Sequence, residues 1–404
     1  MAVGPATVPN FEAIKGFRLG TTCAGIKTAS RRDLVVMALA QGSSVAGVFT
    51  QNAFCAAPVT LSKKHLTAAE TRYLLVNTGN ANAGTGAEGM ADAIACCQQL
   101  AQLTGQPPQA VLPFSTGVIG EKLPVDAIHA GLPQALAVLS EDGWADAASG
   151  IMTTDTRPKG ATRCLEVNGQ AVRISGISKG AGMIRPNMAT MLAFVATDAK
   201  VSQADLQQLL STVAERTFNR VTIDGDTSTN DSCMLIATGG STVTCAPDVE
   251  GWTVFADAIE SILLELAHAI VRDGEGATKF VTVEVGKAGS SEEALKTAYA
   301  IAHSPLVKTA LFASDPNWGR ILAAVGYAGI DKLDVDALKV YLGDVCIVDN
   351  GGRAADYTEA QGQAVMDREE ITIRVELNRG VHCETVWTTD LSKEYVTINA
   401  DYRS

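Results

Sequence analysis

The residue of this 404-residue chain best placed to act as a nucleophile is a threonine that opens an apolar run directly after a glycine-rich loop and a proline. In Lys179 to Phe194, KGAGMIRPNMATMLAF, Gly180 and Gly182 permit backbone angles closed to other residues and let a ligand approach the main chain. Pro186 blocks a helix and biases Arg185 toward extended backbone. Met191 to Val195 then reads as a strand buried on both faces, so the Ala189-Thr190 peptide joins an irregular loop to a rigid element. Taken alone, a threonine in this position does no more than start a core strand.

Other chemistries fit less well. Gly84 to Gly89 spells G-x-G-x-x-G before a helical pattern, but Asn77 to Ala83 intervene between it and the preceding strand, and no acid falls between Asp92 and Glu121 to hold a ribose. Gly176 to Gly180 spells G-x-S-x-G, yet a nucleophile elbow must lead into a helix, which Gly182 and Pro186 forbid; Ser178 is therefore expected to be structural. His65, His129, His268, His303 and His382 are too dispersed for a Ser-His-Asp site and form no H-x-x-x-H zinc pair. His268, opposite the apolar stripe of its helix, is expected in solvent. Neither a metal nor a cofactor is expected, so side chains must do the chemistry.

KGAGMIRPNMATMLAF resembles the signature of the ornithine acetyltransferase family of arginine biosynthesis, also called glutamate N-acetyltransferases. The resemblance runs through NTGNANAGTG (Asn77–Gly86), STGVIGEKLP (Ser115–Pro124), IMTTDTRPK (Ile151–Lys159) and DGDTSTNDS (Asp224–Ser232). It continues through RDGEGATK (Arg272–Lys279), SDPNWGRI (Ser314–Ile321) and the terminal NADYRS (Asn399–Ser404). Ser314 departs from the pattern, standing where glycine or asparagine is more usual. The resemblance implies self-cleavage between Ala189 and Thr190, giving an alpha chain of residues 1–189 and a beta chain of residues 190–404, assembled as a heterotetramer with two copies of each.

The implied mechanism is physically coherent. A threonine needs no histidine when its own α-amine serves as base, and that amine exists only after the preceding bond is cut. Its reference pKa of about 7.7–8.0 suits general-base work near neutral pH better than a lysine at about 10.4. By resemblance Thr116 and Gly117 form the oxyanion hole, although the pair by itself reads as a turn after a strand. Thr156, Lys179, Thr190, Glu275, Asn399 and Ser404 would bind substrate. A carboxylate would suit Lys179, which alternatively supports cleavage, and the δ-ammonium of ornithine would suit Glu275. Thr153 and Thr154 lie close enough to Thr156 to replace it.

The implied reaction is ping-pong. N2-acetyl-L-ornithine acetylates Thr190 and releases ornithine, and L-glutamate then takes the acetyl group. Some family members also accept acetyl-CoA as donor, which would add amino-acid N-acetyltransferase activity. The enzyme alternative is a self-processing aminopeptidase or amidase of related fold, which would hydrolyse its acyl-enzyme. A nucleotide-binding protein built on GTGAEG is the alternative from another class.

The whole chain agrees with a globular enzyme: 47% of residues are hydrophobic and 19% charged. A net charge of -12 without basic clusters argues against nucleic-acid and anionic-membrane partners. The nine cysteines contain no C-x-x-C and are scattered through apolar segments, as reduced core residues of a cytosolic protein would be. With neither a signal-like N-terminus nor a long apolar run, the cytoplasm is the expected location.

The elements that must position these residues show clear periods. Met90, Ile94, Cys97 and Ala101, with Leu100 and Leu103 beside them, predict a helix stopped by Gly105, Pro107 and Pro108. Ser202 and Asp205 predict the cap of a second helix with the stripe Leu206, Leu209, Leu210 and Val213. A third carries Phe255, Ile259, Ile262, Leu266 and Ile270. Val281, Val283 and Val285 alternate as in a strand, as do Ile371, Ile373 and Val375, and Leu165 to Ile174 predicts a hairpin about Asn168-Gly169. Interleaved elements without a steady β-α-β rhythm indicate α+β. The resemblance implies an αββα layered sandwich like the N-terminal-nucleophile hydrolases in layering, with different connectivity.

Overall fold

A computed structural model describes residues 2–5, 8–28, 30–185 and 191–401. The chain divides into two compact units, one of Thr7–Asn219 with Thr227–Ile270, the other of Met1–Ala6, Arg220–Asp226 and Val271–Ser404. The expected cleavage point falls inside the larger unit, so the chemical boundary and the division into units are different things.

The larger unit contains β1 (Phe17–Thr22), β2 (Leu34–Leu39), β3 (Ser44–Phe49), α1 (Ala57–Ala68), β4 (Tyr73–Asn80), α2 (Gly86–Thr104), β5 (Val111–Val118), α3 (Val125–Ala137) and α4 (Trp144–Gly150). It continues with β6 (Lys159–Val167), β7 (Gln170–Lys179), β8 (Leu192–Thr197), α5 (Gln203–Arg216), β9 (Ser232–Ala237) and α6 (Trp252–Arg272). One sheet has the order β1-β2-β4-β5 and the other β3-β9-β8-β7-β6. β4/β5 and β8/β9 are parallel and the remaining pairs antiparallel, which is the mixed pattern expected of α+β.

The two sheets stack face to face. Phe17, Met37, Val76 and Phe114 of the first form one core with Ile177, Phe194, Met234 and Ile236 of the second. Phe114 meets Phe194 edge-on, ring centroids 5.2 Å apart, a favoured aromatic geometry. The outer face of the first sheet is covered by α2 and α3 through Cys96, Cys97, Leu100, Ile128 and Leu132. On the second sheet α5 packs against β3 and β9, and the Gln203 and Gln207 side chains bond to the main chain of edge strand β3, which occupies groups otherwise open to another strand. Gly176 leaves room for Ile262 and Leu266 of α6. Helix, sheet, sheet and helix layers result, as the resemblance implies.

Local expectations hold where turn chemistry and period agree. Asn168 and Gly169 take φ of 51° and 75° between β6 and β7, as a two-residue hairpin turn requires. Gly105 ends α2 in the left-handed region, and Ser202 caps α5 by accepting from the Asp205 N–H. The buried face of α2 is nevertheless Ala93, Cys96, Cys97, Leu100 and Ala101, whereas Ile94 and Leu103 are 37% and 42% exposed. β8 is buried at all six positions because one face meets the first sheet and both neighbours are strands.

The smaller unit holds β10 (Phe280–Ala288), α7 (Ser291–Ala302), α8 (Pro305–Phe312), α9 (Trp318–Gly326), β11 (Lys339–Leu342), β12 (Val345–Asp349), β13 (Gly352–Arg353), α10 (Glu359–Met366), β14 (Glu370–Glu376), β15 (His382–Thr389) and α11 (Lys393–Ala400). Its sheet runs β13-β12-β11-β14-β10-β15. Val281, Val283, Val285, Ile371, Ile373 and Val375 lie in one core with α7 and α9, so the alternation read from the sequence marks the helix-covered face.

Candidate active site

Thr116 and Gly117 are the last but two and last but one residues of β5, not a turn beyond it. They pair with Thr78 and Gly79 of β4, and the register then shifts so that Asn80 pairs with both Thr116 and Val118. Gly117 has φ 136° and its missing Cβ would stand 2.3 Å from the Gly79 carbonyl carbon. Only glycine fits this backbone.

The asparagine-rich segment that runs from the end of β4 to the start of α2 holds that geometry. Ser115 Oγ donates to Asn77 Oδ1 at 2.6 Å, and Asn77 Nδ2 donates to the Asn80 carbonyl at 2.8 Å. Asn230, just before β9, donates to the carbonyls of Ala81 and Ser115 at 2.6 and 2.9 Å. NTGNANAGTG is thus a scaffold for the end of β5: Gly79 pairs with Gly117, and Gly84 and Gly86, with φ of 72° and 59°, serve the turn into α2.

Lys179 ends β7 and is buried. Its Nζ donates to Thr116 Oγ1 at 3.2 Å. Asp155 lies beneath it: one carboxyl oxygen accepts from Lys159 Nζ at 2.5 Å and from the Gly180 N–H at 2.7 Å, the other from the Thr153 N–H at 2.9 Å. The side chains of Asp155 and Lys159 are almost wholly buried. Burial alone would raise the Asp155 carboxyl, but the Lys159 and Lys179 ammoniums outweigh it and hold it well below the usual range. The TTDTRPK segment therefore places a charged acid under the loop, while its Thr156 is exposed.

Asp231 behaves oppositely. It is 4% exposed, and among the described residues its Oδ2 has no hydrogen-bond partner. Burial pushes this carboxyl well above the carboxylate range; Ser228 and the Lys179 charge oppose the shift without cancelling it. Asp231, Asn230, Thr116, Lys179, Gly180 and Met191 line a small polar cavity of about 40 Å³, enough for about three water-sized groups. Neither Asp155 nor Asp231 was singled out from sequence. The available signals were an Asp and a Lys four apart in TTDTRPK, and an acid set directly before the apolar run of β9.

Glu275 and Asn399 belong to the smaller unit, where Asn399 Nδ2 donates to Glu275 Oε2 at 2.7 Å. Tyr395 on the same helix as Asn399 donates to Asp224 Oδ2 at 3.3 Å. Ala189, Thr190 and Ser404 lie outside the described residues.

The weaker sequence candidates fall away or change. Ser178 is fully buried and bonds to the Leu266 carbonyl. His268 is half-buried rather than solvated. Burial pushes the Cys96 and Cys233 thiols up to about 12, which suits inert core residues; Cys23, Cys164 and Cys383 are instead exposed. Among the described residues no group of His, Cys, Asp and Glu is arranged to hold a metal ion, and no helix is long and apolar enough to cross a membrane.

Residues 18–404 match the model of the ArgJ family. The chain is 60% identical over 406 residues to the arginine biosynthesis bifunctional protein ArgJ of Pseudomonas syringae pv. tomato, covering 100% of both chains. It is 57% identical over 395 residues to the protein of the same name in Methylococcus capsulatus, covering 97% of this chain and 96% of the relative. A solved chain of the arginine biosynthesis bifunctional protein argJ from Bacillus halodurans is similar at 37% identity and a TM-score of 0.48, covering 50% of this chain and 95% of that one.

Proposed function

The chain belongs to the ArgJ family, and on that premise we propose that it serves arginine biosynthesis by transferring the acetyl group of N2-acetyl-L-ornithine to L-glutamate through an acetyl ester of Thr190. The observation that carries this reading is the cavity where Thr116 and Lys179 converge beside Met191, the residue that follows Thr190 in the chain.

Self-cleavage after Ala189 would free the Thr190 α-amine, which then takes the hydroxyl proton while Oγ attacks the acetyl carbonyl. Thr116 Oγ1 and the main chain at Gly117 would stabilise the oxyanion, and the Lys179 ammonium, donating to Thr116, favours negative charge there. Ornithine leaves with that proton, glutamate enters, and its amine attacks the ester. Thr156, Lys179, Glu275, Asn399 and Ser404 would hold the two substrates in turn. Acetyl-CoA is proposed as a second donor, in keeping with the word bifunctional in the names of the relatives. The working form would be a cytoplasmic heterotetramer of two chains of residues 1–189 and two of residues 190–404.

Intact mass and a denaturing gel test the reading. Wild type should run as two fragments split after Ala189, and Thr190→Ala as one uncut, inactive chain. Acetate release without glutamate-dependent transfer would favour a self-processing amidase instead. An uncut and fully active wild type would sink the mechanism.

A further inference from the structure

Among the described residues of the larger unit, Asp231 carries a buried carboxyl whose geometry the acetyl transfer leaves unexplained. Its Oδ2 is buried without a hydrogen-bond partner among the described residues, a costly arrangement that native proteins rarely keep without use. Asp231 also lines the cavity formed with Thr116, Lys179 and Met191. β8 and β9 run parallel, with Leu192 paired to Ser232, and the Ser232 N–H donates to the Met191 carbonyl at 2.8 Å. Asp231 therefore sits alongside Met191, one peptide from Thr190.

We propose that Asp231 is the acid–base group of self-cleavage, carrying a proton from the Thr190 hydroxyl to the Thr190 nitrogen. The proposal rests on the reading that the bond between residues 189 and 190 is cut. As Oγ of Thr190 bonds to the Ala189 carbonyl carbon, the Asp231 carboxylate accepts the hydroxyl proton. The C–N bond then breaks, the nitrogen takes that proton from Asp231, and an ester with a free amine remains. Water hydrolyses the ester, leaving the Ala189 carboxylate and restoring the Thr190 hydroxyl.

The surroundings suit a group that both takes and gives a proton. Burial raises its proton affinity from that of an ordinary carboxylate toward the working pH, where a general base is most effective. Among the described residues Lys179 is the charged group acting on Asp231, and Lys179 in turn lies in the field of Asp155. Asp155 cannot do the same work, because Lys159, Gly180 and Thr153 already occupy its oxygens.

The test is the rate of cleavage, followed by intact mass after pulse labelling, in wild type, Asp231→Asn and Asp231→Glu across pH 5 to 9. Asp231→Asn should accumulate uncut chain, with cleavage slowed about 100-fold or more, the usual scale of acid–base catalysis. Asp231→Glu should recover part of the rate. The wild-type rate should fall as pH drops and the carboxylate is protonated, and the residual rate of Asp231→Asn should lack that limb. A merely structural Asp231 would leave the pH profile unchanged, and circular dichroism of the uncut variant separates misfolding from lost chemistry. If Asp231→Asn misfolds, the wild-type and Asp231→Glu profiles decide: identical profiles overturn the proposal and displaced ones support it. Cleavage of folded Asp231→Asn at the wild-type rate overturns the role of Asp231 alone. An uncut wild type overturns both this step and the cleavage on which it rests.

Discussion

The ammonium of Lys179 donates to the hydroxyl of Thr116 across 3.2 Å, a bond that joins the end of β7 to a strand of the facing sheet. Two residues 63 apart in sequence thus become one unit of the site, and their removal should not be additive. Thr116→Ala is expected to lower kcat about 100- to 1,000-fold, the scale of a lost oxyanion donor. The double variant with Lys179→Met should lose less than the product of the two single losses. Steady-state kinetics of the four proteins checks this, and strict multiplicativity would argue that the two act separately.

Gly117→Ala tests the backbone beside Thr116. At φ 136° the new Cβ would stand 2.3 Å from the Gly79 carbonyl carbon, so β4 and β5 must separate. The conformation alone should cost about 1–3 kcal/mol, with further loss from the displaced strand. Urea unfolding measures the first effect, and acetyl transfer at saturating substrate measures the displacement.

Asp155 makes stability depend on acid pH. Its folded carboxyl is held below the ordinary value, so its contribution is complete above the unfolded pKa of about 3.9 and is lost as pH falls through the lower folded value. Asp155→Asn leaves Lys159 charged and buried and should cost about 3–5 kcal/mol at neutral pH. Unfolding curves at neutral pH and below pH 4 should show the wild type losing its advantage as acid is added. A constant difference between the two proteins would contradict this account.

Cleavage should not separate the fragments. The second sheet takes β3, β6 and β7 from before residue 189 and β8 and β9 from after residue 190, with β7 and β8 as hydrogen-bonded neighbours. Both fragments are therefore expected in a single peak on size exclusion without denaturant, and as separate chains only once the sheet unfolds. Elution of either fragment alone from native protein would count against this interleaving.

Ser314 stands in a conformation that accounts for glycine or asparagine being more usual there, and nothing in the structure explains the serine. It follows the end of α8 with φ 53°, a left-handed conformation that glycine and asparagine tolerate best. Ser314→Gly should raise stability by about 1 kcal/mol, read as a shift of the urea midpoint with activity unchanged.

Much of the fold was legible in the sequence because its signals act over a few residues. Asn168-Gly169 sets a hairpin by backbone preference, Ser202 caps α5 three residues on, and Val281, Val283 and Val285 point one way because strands alternate. The α2 stripe was less legible: with apolar residues on several sides of the helix, only packing against the first sheet decided that Cys96 goes in and Ile94 stays out.

The site divides in the same way. The family signature is read from the residues in order, and through that resemblance Thr116, Gly117, Lys179 and an N-terminal nucleophile become the chemistry to test. Tertiary structure alone distinguished the acids. Asp155 and Asp231 are equally plain aspartates in print, but one is folded against Lys159 and stays charged while the other is buried beside a cavity with an oxygen unmatched among the described residues. A carboxyl's proton affinity is set by the solvent removed from it and the charges brought near it, and strands distant in sequence supply both.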